Sequence, residues 1–163
     1  MRAKEFAIGN YLEWPEGNLQ VTQEARKHMI TLLEDLNRIK QYKEETLYLA
    51  ASLVDRYLVN LAVKNQVAPC LIKLTVIMTL MAAKLEEPMQ PSYNRMVRLV
   101  ANDWNVTMEK KDLIDLEEDI IRQLDFDLLY DGPIPFLERF QRIFNLDLVR
   151  EDPDAYALNN LAR

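Results

Sequence analysis

Glycine is scarce in this chain, limited to Gly9, Gly17 and Gly132, and none of the three interrupts a periodic segment. That scarcity excludes a glycine-rich phosphate loop, and the sequence also lacks a nucleophile elbow. Cysteine occurs once, as Cys70, so no intramolecular disulfide forms and a reducing compartment is expected, nucleus or cytoplasm. Histidine also occurs once. A lone His28 provides neither a zinc site of the usual kind nor the Glu-x-x-His pairs of a di-iron bundle, and it is read as a helix-surface residue. The longest apolar run, residues 70–83, is too short and too interrupted for a membrane span. Residues Met1 to Ile8 have no apolar core of the signal-peptide kind, so an intracellular protein with no membrane partner is expected.

Positive charge is in deficit. Twenty-six Asp and Glu stand against 20 Lys and Arg, a net charge of -6, which argues against a nucleic-acid partner. The small basic cluster Arg95, Arg98, Lys110 and Lys111 is read as a solvated helix face. Apolar residues make up 49% of the 163 positions, enough for one domain with a buried core.

What is present is helical periodicity. The spacing predicts a first helix from about Gln23 to Gln41, capped by Thr22, with Met29, Leu32, Leu33, Leu36 and Ile39 inward. A second helix is expected from Glu44 to Val63, with Leu47, Ala50, Ala51, Val54, Leu58 and Leu61 on one face. A third, about Ala68 to Glu87, is apolar around most of its circumference and belongs at the centre, with Cys70 as a small core hydrophobe. Pro88 and Pro91 end it and open a shorter fourth helix carrying Tyr93, Met96, Val97 and Val100. Thr107 is the expected cap of a fifth helix reaching Leu124, with Leu113, Leu116, Ile120 and Leu124 inward. A short helix, Pro135 to Phe144, follows Asp131-Gly132-Pro133. The expected fold is all-α: five helices around a buried third, with flanking helical segments at both ends. From Asp152 an apolar pattern of Tyr156, Leu158 and Leu161 begins and stops, as the start of a linker or of a further domain would.

Two charged residues sit where charges need a reason. Lys84 ends the most apolar helix, where it must reach solvent, a carboxylate or a partner. Glu117 shares a stripe with Ile121, Leu124 and Leu128. The remaining carboxylates, Glu86 with Glu87 and Asp115 with Glu118 and Asp119, are read as solvated helix faces. With no nucleophile, metal set or cofactor loop, no catalyst and no cofactor are expected.

These residues resemble a family. The second helix reads Glu45-Thr46-Leu47-Tyr48-Leu49-Ala50-Ala51-Ser52-Leu53-Val54-Asp55-Arg56-Tyr57-Leu58, and the third ends Met81-Ala82-Ala83-Lys84-Leu85-Glu86-Glu87-Pro88. The fifth reads Leu116-Glu117-Glu118-Asp119-Ile120-Ile121-Arg122-Gln123-Leu124-Asp125-Phe126-Asp127-Leu128, with Phe136-Leu137-Glu138-Arg139-Phe140 beyond. Over about Val21 to Asn145 the chain is similar to the N-terminal cyclin box of cell-cycle cyclins. The resemblance implies a cyclin box at 21–130, preceded by an extension at 1–20. Residues 131–163 would then hold a short helix and the start of a linker or of a truncated second cyclin fold.

The same resemblance implies a regulatory subunit of a cyclin-dependent protein kinase, possessing no enzymatic activity of its own. Lys84 and Glu117 would hold backbone groups around the kinase C-helix, with Met81, Leu85, Ile121 and Leu128 as an apolar wall. Alternatively, or in addition, Lys84 and Glu117 pair within the bundle. Arg26 and Asp55 would form a structural ion pair in the core. The family's substrate-docking patch is altered: Leu32 and Ile72 stand where a tryptophan and a glutamine are common. A weak groove for kinase substrates is expected around Met29, Leu32, Leu33 and Ile72. The main alternative is a cyclin-fold transcription adaptor of the transcription factor IIB type, which acidic charge and the Lys-Leu-Glu-Glu segment do not suit.

Overall fold

The computed structural model describes residues 21–129 and 132–151, all side chains excepted beyond residue 144. The expected N-terminal extension (residues 1–20) and the pattern from Asp152 onward lie outside the described residues. The chain divides after residue 130 into two compact units. Among the described residues there are six helices and no strand.

Helix α1, Gln23–Lys40, begins at Thr22, whose hydroxyl accepts from the Ala25 amide at 3.1 Å. It ends at Gln41 in the left-handed region, φ 54°. Met29, Leu33 and Leu36 are buried, whereas Ile39, expected inward, is 45% exposed. Successive residues rotate by about 100°, so Ile39 falls on the flank of the Met29–Leu33–Leu36 stripe.

Helix α2, Glu44–Val63, is buried on nearly every side from Ser52 to Leu58, and α3, Leu71–Glu86, is buried continuously from Leu74 to Ala83. The two helices pack on each other and both touch α1 and α5, so α2 shares the centre that periodicity assigned to α3 alone. Two buried hydroxyls of α3 are satisfied within the helix: Thr75 donates to the Leu71 carbonyl at 2.9 Å and Thr79 to the Thr75 carbonyl at 3.0 Å.

The start of α3 differs from expectation. Pro69 disfavours helical backbone at Ala68, so the helix opens at Leu71 with Cys70 as its N-cap residue. Cys70 is consequently exposed and is not part of the core.

Helix α4, Tyr93–Asp103, is capped by the Ser92 hydroxyl and buries Met96 and Val100. Helix α5, Lys110–Gln123, starts at Glu109 rather than Thr107, without a side-chain cap, and buries Leu113 and Ile120. Lys73 and Asp112, 2.5 Å apart, tie the first turns of α3 and α5 together. The second unit contains α6, Ile134–Glu151, longer than the short helix expected. Phe140, Phe144 and Leu148 continue the four-residue spacing past the expected end, and Pro135 is tolerated in the first turn.

Candidate functional site

The last turn of α3, the first residue of α4 and the middle of α5 meet in one polar cluster inside the first unit. Lys84 Nζ donates to Glu117 Oε1 at 2.5 Å and to the Tyr93 hydroxyl at 2.6 Å. Tyr93 in turn donates to Glu117 Oε2, closing a ring of three side chains. The ammonium also lies 4.7 Å from the centroid of the Tyr93 ring. Placement at the C-terminal end of α3 favours its charge, because helix carbonyls converge there.

Burial alone would lower the Lys84 pKa, but the hydrogen bonds to Glu117 and Tyr93 outweigh it and hold the pKa above the ordinary value. Burial, then the Glu117 carboxylate, raise the Tyr93 phenol. At neutral pH the ring therefore contains a charged lysine and a neutral tyrosine.

The side chain of Glu117 is 16% exposed and that of Lys84 29%, so the pair lies at the rim of the core. Leu85, the next residue, is 44% exposed. Ile121, one turn beyond Glu117, and Leu128 are half-buried against the core. Met81 is 2% exposed and belongs to the core, so it offers a partner almost no area.

Leu128 is held by a clamp from α2. Arg56, itself buried, donates to the carbonyls of Asp127 and Leu129, the latter at 3.4 Å. Asp125 and Phe126, both at positive φ, turn the chain out of α5 just before this clamp.

The neighbouring Glu87 is no solvated-face residue. Its Oε1 accepts from the Lys43 amide at 2.8 Å and from the Thr46 hydroxyl at 2.6 Å. Lys43, the N-cap of α2, makes no capping bond of its own, so a carboxylate from the end of α3 caps α2. Asp115, Glu118 and Asp119 lie on an exposed face of α5, as expected; within it Asp119 accepts from the buried Tyr57 hydroxyl at 2.7 Å, and Glu118 pairs with Arg122.

Arg26 and Asp55 form the expected pair, a fork of two bonds at 2.8 and 2.6 Å joining α1 to α2. The Arg26 side chain is 35% exposed, so the pair sits at the edge of the core rather than inside it. The expected groove around Met29, Leu32, Leu33 and Ile72 is not open as drawn. Met29 and Leu33 are fully buried, leaving only the half-buried Leu32 and Ile72 near the surface. His28 is exposed, as expected.

Sequence reasoning missed two contributors. Tyr93 was assigned to the apolar face of α4, although a half-buried tyrosine carries a hydroxyl that needs a partner. Glu87 was assigned to solvent. The signal for it is Lys43 at the N-cap of α2, where Ser, Thr, Asp or Asn would cap the helix, which leaves amides to be satisfied from elsewhere. Among the described residues no group of three or more His, Cys, Asp or Glu could hold a metal ion. None of their helices is long and apolar enough to cross a membrane.

A family model described as "Cyclin, N-terminal domain" matches residues 2–129. G2/mitotic-specific cyclin-B3 of Mus musculus is 28% identical over 139 residues, covering 85% of this chain and 9% of that protein. G2/mitotic-specific cyclin-4 of Saccharomyces cerevisiae is 32% identical over 133 residues, 81% of this chain and 27% of that protein. Putative cyclin-A3-1 of Arabidopsis thaliana is 31% identical over 147 residues, 90% of this chain and 39% of its own length. The chain thus spans well under half the length of each of these relatives.

Proposed function

The chain belongs to the cyclin family, and on that premise we propose that it binds and activates a cyclin-dependent serine/threonine protein kinase. The observation that supports this most is the Lys84–Glu117 pair, preorganised at the rim of the core beside exposed Leu85. Lys84 retains a third N–H for a main-chain carbonyl, and the Glu117 oxygens retain lone pairs for main-chain amides. Leu85, Ile121 and Leu128 supply apolar surface for a side chain of the same helix.

Activation is then a population shift. In kinases of this kind the C-helix must turn inward to form the Lys–Glu ion pair that positions ATP. A rigid surface that binds only the inward helix moves the equilibrium toward the active state. The cyclin contributes complementarity and no chemistry, and so is a regulatory subunit rather than an enzyme. The helices that carry the pair are anchored by buried residues, Leu74 to Ala83 in α3 and Leu113 and Ile120 in α5, which supply the rigidity this requires. No observation at the site favours a transcription adaptor.

The test is capture of a kinase from a lysate on immobilised chain, with phosphorylation of histone measured on the beads. Wild type is compared with Lys84→Ala/Glu117→Ala, the fold of both being checked by circular dichroism. An active kinase held by the wild type and lost by the folded variant supports the reading. Equal retention by both refutes the assignment of Lys84 and Glu117.

A further inference from the structure

Tyr93 belongs to the polar ring at this site, yet the motifs that mark the family do not include it. We infer that Tyr93 is a positioning residue of the partner site, clamping Lys84 and Glu117 in one arrangement and so setting which hydrogen bonds remain for a partner's main chain. This rests on the proposed kinase-binding role of the same site.

The geometry carries the inference. A lysine ammonium has three donors on a flexible four-carbon stem, and ordering such a stem at the moment of binding costs affinity. Here two donors are already committed, to Glu117 Oε1 and to Tyr93. Each Glu117 oxygen has one internal donor, Lys84 on Oε1 and Tyr93 on Oε2. The ring of bonds thus holds both charged groups before any partner arrives. It leaves one N–H on Lys84, suited to a single main-chain carbonyl, and a free lone pair on each carboxylate oxygen for main-chain amides. A partner that needs two bonds from Lys84 must break one of the two internal bonds.

Tyr93 is well placed for this task. It is the first residue of α4, directly after the Ser92 cap, and α4 is anchored by buried Met96 and Val100. Its hydroxyl faces the ammonium and lies between the two charged groups, so one side chain restrains Lys84 and Glu117 together by hydrogen bonds. Through it α4, which contributes no other residue to the ring, is coupled to the surface formed by α3 and α5.

Tyr93→Phe retains the ring and removes only the hydroxyl, and its effect is read in two ways. In the free chain, NMR of isotopically labelled lysine reports hydrogen exchange and mobility at Lys84 Nζ. Wild type is expected to show a protected, ordered ammonium and Tyr93→Phe a fast-exchanging, mobile one. With the purified kinase that the wild type retains, Tyr93→Phe is expected to weaken binding by about two- to tenfold, the range of one net hydrogen bond. In a Lys84→Ala background the same substitution is expected to have a smaller effect, the loss of its bond to Glu117 alone. An unchanged Lys84 signal, unchanged affinity, or an equal loss in both backgrounds overturns the inference. If Tyr93→Phe does not fold, Tyr93→Met carries the same comparison. If the wild-type chain retains no kinase, the binding role fails, and the ammonium signal alone decides whether Tyr93 positions Lys84.

Discussion

Glu87 and Thr46 are bonded at 2.6 Å across the interface of α2 and α3, so the end of one helix closes the start of the other. The same carboxylate oxygen receives the Lys43 amide, and Lys43 Nζ donates to the Glu86 carbonyl at 3.3 Å. The segment after Lys84 is thereby held at both its side chain and its backbone. This matters for the site because Lys84 and Leu85 immediately precede it, and a frayed end of α3 would release both.

Glu87→Ala removes a helix cap and leaves the fully buried Thr46 hydroxyl without this acceptor. The expected loss is about 1–2 kcal/mol of unfolding free energy. Glu87→Gln keeps an acceptor oxygen and should lose less. Urea denaturation checks this: the midpoint should fall with the m-value unchanged.

Removing both members of the Arg26–Asp55 fork tests how much an edge pair contributes. A fully buried pair broken on one side typically costs about 3–5 kcal/mol, but the Arg26 side chain is one-third exposed and screened by water. A double-mutant cycle with Arg26→Ala and Asp55→Ala should give a coupling energy of about 1–2 kcal/mol. A coupling near zero would remove this pair from the account of how α1 is held to α2.

Alkaline pH should loosen the Lys84 cluster. The folded-state pKa values of Lys84 and Tyr93 both lie above their ordinary values of 10.5 and 10.0. A raised folded pKa means that the folded state binds protons more tightly than the unfolded state. The associated stability is fully present below the unfolded values and is lost as pH rises through the folded ones. Buried Tyr57, raised chiefly by burial and then by its bond to Asp119, acts in the same direction. Unfolding free energy should therefore be unaffected by these groups between pH 7 and about 9 and decline above about pH 10. Lys84→Met/Tyr93→Phe should flatten that decline, as measured by denaturant titrations across the range.

The sequence made the helical order legible because apolar spacing in α1, α2 and α5 is strong and glycine does not interrupt it. Lys84 and Glu117 stand out because each is a charge beside an apolar stripe, and two opposite charges so placed have reason to pair. What was not legible depended on where neighbouring elements end. Glu87 caps α2 only because α3 stops beside Lys43, a relationship that local patterns do not encode. Tyr93 resembled any aromatic on an amphipathic helix until its hydroxyl was placed between two charges. Cys70 was misread because apolar composition outweighed the helix-start signal of the adjacent Pro69. Met29 and Leu33 were drawn into a surface groove although the same stripe made them core residues.

Leu85 and Met81 separate surface from core in the proposed kinase interface. The family resemblance puts both in one apolar wall, but Leu85 is 44% exposed and Met81 is 2% exposed. Met81→Ala opens a cavity in the core and should cost about 2–5 kcal/mol of stability. Leu85→Ser removes a side chain that is nearly half exposed and lies outside the core, and its effect on stability should be the smaller, about 1 kcal/mol. Their effects on kinase binding should rank the other way once each variant is assayed at a temperature where it is folded. Loss of Leu85 deletes area that a partner helix can cover, whereas loss of Met81 deletes almost none. Calorimetric titration with the kinase, paired with thermal denaturation of the free chain, measures both quantities on the same samples. If Leu85→Ser leaves affinity unchanged, the partner does not cover the end of α3, and the Lys84–Glu117 pair is left with a structural role alone.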